Sequence, residues 1–294
     1  MAAPLGSTIL TQIGHPNVPA GSSGNPSSVS QSCLSIFPSC LPSYNWAGYV
    51  ILSPTGSGVT DVKASWTVPY IFGAFRNSCP DPAKTYDSNA VWVGLDGFTN
   101  GYVEQAGTSS DCYYGQTNYY AWYEFYPLAS VVLPNAVQPG DTIQAEVSYA
   151  AGSFTTTIKD TTAHWSQVIT VSESTLGFSP PMASAEFIDE SPAYAYQYFL
   201  GLTPVAPITF SGATATINSV TNSLARWGAV SPTGVCNTAP FTNCVVYSLN
   251  VDFNWPGTNE YNIPGILPST FYVKAQPTGY FGGIFSVNWR SAGP

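Results

Sequence analysis

The chain has 294 residues, 44% of them hydrophobic, enough for one large domain or two small ones with a real core. Lys and Arg number 7 against 16 Asp and Glu, a formal net charge of −9, which excludes a nucleic-acid partner because phosphate binding needs clustered cations. No apolar run approaches the roughly 20 residues that cross a bilayer, so no membrane partner is expected.

The opening MAAPLGSTIL has neither a basic n-region nor a long apolar h-region and is not read as a signal peptide. If the protein is secreted, its signal has been removed. Residues 1–43 are rich in Ser, Pro, Gly and Asn, as in PAGSSGNPSSVSQS, and the first residue charged at neutral pH is Asp61. This segment reads as an arm or a propeptide remnant, with the folded domain over 44–294.

From NWAGYVIL at 45 onward, short β-branched and aromatic runs are broken by Gly, Pro or Asn. VKASWTVP (62–69), AVWVGLDG (90–97), YYAWYEFYP (119–127) and ATATINSV (213–220) read as strands, many alternating with period two. TIQAEVSYA and SFTTTIKD, separated by AG, predict a hairpin over 142–160. FSVNW predicts a closing strand, and no amphipathic helix of three turns is visible. The expected fold is all-β, a sandwich of two antiparallel sheets in the jelly-roll manner, with little helix.

Six Cys stand at 33, 40, 79, 112, 236 and 244. None has the CxxC spacing of a zinc site, so disulfides are expected rather than metal. Spacing suggests Cys33–Cys40 and Cys236–Cys244 as local loops, leaving Cys79–Cys112, one arrangement among 15. The seven cations build little self-repulsion once carboxylates are protonated, which suits acidic surroundings; low charge is equally a habit of secreted proteins.

A nucleophile–His pair would need His164, because His15 lies in the arm. A lone His on a strand is more often a packing or surface residue. No aspartic-protease signature and no phosphate-binding glycine loop is present, so carboxylates and amides must carry any reaction. The stretch SAEFIDESP (184–192) crowds Glu186, Asp189 and Glu190 together. On a strand Glu186 and Glu190 share one face and Asp189 points to the other. They suit a glycosidase pair or a general base with an oxyanion donor from another strand, or else they are surface residues at a strand end.

NWAGYV at 45, ASWTVP at 64, WVGLDG at 92, VEQAGT at 103, YYAWYEFYP at 119 and AEFIDE at 185 follow one another in order. Together they resemble the motif blocks of the glutamic peptidases, also called eqolisins. The resemblance implies a β-sandwich endopeptidase acting in acid, with polypeptide substrates, no cofactor and no metal. Its catalytic Gln falls on Gln105 and its catalytic Glu on Glu190, with Gln105 as oxyanion donor and Glu190 as general base and later acid. It further implies substrate-site roles for Trp92, Asp96 and Glu124, and leaves Trp122 as cleft wall or core.

Two departures stand out. Tyr120 replaces an aspartate before the AWYEWYP block, and the LQTG block reads EQAG, adding Glu104 on the face opposite Gln105. The competing readings are a jelly-roll glycoside hydrolase and a lectin-like carbohydrate-binding domain. EFIDE puts its Asp at the wrong parity for the ExDxE pattern of the former. A secreted monomer is the expectation for localisation and assembly.

Overall fold

The computed structural model describes residues 13–14, 40–43, 45–53, 56–80, 86–194, 198–199, 201–229, 246–253, 272–277 and 281–289. Two antiparallel sheets of seven strands each face one another without closing into a barrel, the expected sandwich. The strands that matter below are β1 (Trp46–Leu52), β2 (Val59–Thr67), β3 (Ala90–Leu95), β4 (Val103–Tyr113), β5 (Gln116–Tyr126), β6 (Thr142–Ala150), β7 (Ser153–Asp160), β8 (Trp165–Ser172), β9 (Ser184–Glu190), β10 (Ile208–Ile217) and β11 (Val246–Phe253). The two described helices are short, α1 (Glu173–Leu176) and α2 (Leu224–Ala229). None is long and apolar enough to cross a membrane.

The first sheet runs β5–β4–β3–β9–β1–β11. The second runs β10–β2–β6–β7–β8. Alternation decides which side chains meet between them. Along β7, Phe154, Thr156, Ile158 and Asp160 are buried while the residues between are not, the period-two signature of a half-buried strand. Ile143, Ala145 and Val147 do the same on β6. The predicted hairpin closes over Ala151 and Gly152, at φ 50° and 76°. Two positive φ values are what a two-residue turn of type I′ needs, and Gly152 takes its own without a Cβ penalty.

Aromatics knit the inter-sheet core: Trp66 meets Phe210 at 5.8 Å between ring centroids, and Phe210 stacks on Phe285 at 4.8 Å. Burying each such ring is worth about 1.5–3 kcal/mol. Phe285 lies in the predicted closing strand, Phe285–Trp289. That strand pairs with Ile208–Phe210, whereas the rest of β10 pairs with β2, so β10 passes from one sheet to the other through a bulge after Ser211. Cys79 and Cys112 form the expected disulfide. Cys33, Cys236, Cys244 and the Cys40 side chain, with the two pairings proposed for them, lie outside the described residues. So does most of the 1–43 segment, though Cys40–Ser43 pairs parallel with β11.

Candidate active site

β9 lies between β3 and β1, and all seven of its residues are buried. The surface reading of its glutamates therefore fails: Glu186 and Glu190 have no exposure, so both carboxylates are interior groups. Ala185 and Phe187 belong to the inter-sheet core, Ile188 to a second cluster on the outer face of the first sheet. By alternation Asp189 faces the core, where Asn89 Nδ2 donates to it, and Glu186 and Glu190 face the second cluster. The parity that disfavours the ExDxE pattern holds.

Cross-strand register arranges this second face in three rows. The first reads Glu124, Gln105, Gly94, Glu186, Val50 from β5 to β1. The next reads Trp122, Gly107, Trp92, Ile188, Gly48, and the last Tyr120, Ser109, Ala90, Glu190, Trp46. Gln105 and Glu190 thus lie two rows apart, about 13 Å along the strands at about 3.3 Å per residue. Gln105 and Glu186 lie on the same row, on either side of Gly94.

Gly94 is the reason the two can converge, because it puts no side chain between them. A Cβ there would meet Trp92 Cζ3 at 2.9 Å and Gln105 Cβ at 3.2 Å. Gly94→Ala is therefore expected to lower kcat/KM by about tenfold or more, with stability reduced by about 1–3 kcal/mol from overpacking. An unchanged kcat/KM would show that the gap is not used.

Each predicted residue has a definite partner. Gln105 Nε2 donates to Glu124 Oε2 at 2.6 Å, so Glu124 holds the amide. Glu190 accepts from Asn45 Nδ2 at 2.9 Å and from Trp92 Nε1 at 2.7 Å. The Trp92 indole reaches from Glu190 to the Gly94 position, and Trp46 meets it edge-on at 4.9 Å. Trp122 is buried in the same cluster. Asp96 accepts from the backbone N–H of Met182 and Ala183, both at 2.7 Å, and from Asn100 at 2.9 Å. It thereby pins the entry to β9. Gln105, Glu186, Glu190, Trp92 and Asp96 are all fully buried in this structure.

Burial holds the Glu186 carboxyl well above the ordinary carboxylate range. The Ser184 hydroxyl and the Phe98 N–H oppose this; the neighbouring Asp96 and Glu104 carboxyls add to it. Burial likewise raises Asp96, against the pull of its three donors. His164 stands in an exposed turn between β7 and β8, apart from these rows. Among the described residues no three His, Cys, Asp or Glu side chains are grouped as metal ligands.

Sequence reasoning set Glu186 aside and did not find Asn45 or Asp111. Tyr120 Oη donates to Asp111 Oδ2 at 2.7 Å, and Ser88 Oγ to Asp111 Oδ1 at 2.6 Å. The acid missing at position 120 is thus met by one on the neighbouring strand. The glycine of WVGLDG, on the site-facing parity of its strand, was the available signal for Glu186.

The sequence model of the peptidase A4 family matches residues 44–255. Aspergillopepsin-2 of Aspergillus niger is 34% identical over 132 residues, 38% of this chain, and the match spans only 44% of that relative. Scytalido-glutamic peptidase, solved with a transition-state analog inhibitor, superposes with a TM-score of 0.61 at 20% identity, over 84% of this chain and 98% of that one. SCP-B, an eqolisin solved with the tripeptide Ala-Ile-His, gives 0.57 at 20% identity with the same coverage. At such identities these two likenesses speak for the fold.

Proposed function

The chain belongs to the peptidase A4 family, and we propose that it hydrolyses peptide bonds in polypeptides with Gln105 and Glu186 as the acting pair. The observation that carries this reading is the shared row, in which Gly94 puts no side chain of its own between an amide and a carboxyl. The motif resemblance assigns the acid to Glu190; the register favours Glu186, and leaves Glu190 to hold Trp92 through its N–H.

The chemistry needs nothing beyond these groups. Ionised Glu186 takes a proton from water as the water oxygen attacks the peptide carbonyl carbon. A Gln105 N–H donates to the oxyanion that forms, while Glu124 fixes the orientation of the amide. Gln105 Oε1 accepts no hydrogen bond from a described residue and is available to the water's second proton. Protonated Glu186 then delivers its proton to the leaving nitrogen as the C–N bond breaks, giving a carboxylic acid and an amine. Because both groups are buried here, a polypeptide reaches them only when this face is uncovered.

Gln105 does not titrate, so the low-pH limb of activity belongs to Glu186. Its raised affinity for protons places that limb above the range of an exposed carboxylate, with the optimum still on the acid side of neutrality. A secreted protein working in acid suits the seven cations and the Cys79–Cys112 disulfide. Trp92 and Trp122 line the row beside the pair and favour bulky or apolar side chains over charged ones next to the cleaved bond.

The test is cleavage of an unfolded protein between pH 2 and 7, with product peptides read by mass spectrometry. Gln105→Ala is expected to lose about 10²–10³ in kcat, the usual cost of an oxyanion donor, with its near-UV circular dichroism unchanged. Folded protein that cleaves nothing, or a Gln105→Ala variant at full rate, would sink the reading.

A further inference from the structure

Glu104 is a buried carboxyl that this reaction does not use. It sits one residue before Gln105 on β4 and faces the opposite way, into the space between the sheets. Its cross-strand neighbours are Leu95 on β3 and Phe125 on β5, both core residues. It has no exposure, and neither of its oxygens meets a donor from another described residue.

Among the described residues its titratable surroundings are acidic or neutral. Asp96 at the end of β3, Glu173 at the start of α1 and Glu186 on β9 are the charged groups that bear on it. Tyr149, on β6, and Tyr123, on β5, are neutral phenols packed on the same core. Asp160 is core-facing at the far end of β7, bonded to the N–H groups of Thr162 and Ala163. The cations whose side chains are described lie elsewhere: Lys63 and Lys159 on the outer face of the second sheet, Arg76 over the Tyr70 ring, Arg226 in α2.

Resting on the reading of Gln105 as the oxyanion donor, we propose that Glu104 is a proton-operated latch on the catalytic strand. Uncharged, it packs between Leu95 and Phe125 and keeps β4 in register, so that Gln105 faces Glu186. Ionised, it becomes an unpaired charge in an apolar layer near three further acids, with no described cation to offset it and only its own backbone N–H as donor. The nearest relief is for the start of β4 to leave the sheet, which carries Gln105 away from the gap. The enzyme therefore switches off as its surroundings approach neutrality, by a route separate from the ionisation of its own base. Burial does raise the Glu104 carboxyl well above the ordinary range, and Asp96 adds to the effect.

The experiment compares wild type, Glu104→Gln and Glu104→Leu across pH 3 to 8, each activity scaled to its own maximum and taken well below the melting temperature. Both variants are expected to keep their acid-side activity within about threefold. At pH 7 each should retain at least about tenfold more of its maximum than wild type, the equivalent of a one-unit displacement of the upper limb. Near-UV circular dichroism should lose its native signal at a correspondingly higher pH. Upper limbs that superimpose on that of wild type would overturn the proposal. If Glu104→Leu does not fold, Glu104→Gln alone decides by the same shift or its absence. If no form cleaves any substrate, the peptidase reading falls, and the circular-dichroism midpoints still show whether the latch exists.

Discussion

Glu186→Gln is expected to lower kcat/KM by about 10³–10⁴ at the optimum pH, the upper range for removal of a general base. The substitution keeps volume and shape, and the glutamine cannot take the proton from water. Glu190→Gln is expected to behave differently. Its carboxylate accepts two N–H groups, from Asn45 and Trp92, and an amide can accept only on its oxygen. One of those donors would then face an NH₂ group, costing about 1–3 kcal/mol of stability. The displaced Trp92 lowers activity by about tenfold, not by thousands. Steady-state kinetics on both variants, with folding checked by near-UV circular dichroism, separates the roles. An inactive Glu190→Gln beside an active Glu186→Gln would restore the motif assignment and show that row membership misleads.

The second large effect is on stability. Burial pushes Asp189 up to about 8, with the Asn89 amide opposing and Glu190 adding to the rise. Glu104, Glu186 and Asp96 are raised for the same first reason. Asp61 is pushed up to about 7 by burial and by Glu146, against Lys63. A carboxyl whose folded value is raised binds a proton more tightly in the native than in the unfolded chain. Its stabilisation is therefore complete below the unfolded value and is lost as pH climbs towards the folded one. For Asp189 alone the loss between pH 4 and 7 is about 4 kcal/mol. At this chain length that corresponds to a fall in Tm of about 6–7 °C. Calorimetry at unit steps from pH 3 to 8 should show the highest Tm at the acid end and a smaller slope in Asp189→Asn. A Tm that stays flat or rises to pH 7 would contradict the burial of these acids.

Much of the fold was legible because alternation is a local property. The β6–β7 hairpin, the strand at 62–67 and the closing FSVNW strand each announce themselves within ten residues. Parity was legible too, and it correctly turns Asp189 away from Glu186 and Glu190. The row on which a residue falls was not. Glu186 meets Gly94 across 92 positions of chain, and no spacing within SAEFIDESP encodes that pairing. The motif resemblance supplied Gln105 and assigned the acid to Glu190, whereas cross-strand register puts Glu186 on the row of Gln105. Burial was hidden for a related reason: a charged residue in an alternating strand is normally the solvated one, and here both faces of β9 are buried. Asp111 escaped notice because its partner, Tyr120, looked like a loss until the neighbouring strand was seen to provide the acid.

β10 hydrogen-bonds within both layers, Ile208–Phe210 in one and Ser211–Ile217 in the other. A strand shared in this way makes the sandwich a single cooperative unit, since neither layer can come apart without breaking ladder bonds that also hold the other. Amide hydrogens along 208–217 should accordingly be among the slowest to exchange with solvent, escaping only through whole-molecule opening. Breathing motions that admit a polypeptide are then confined to segments that this shared strand does not hold.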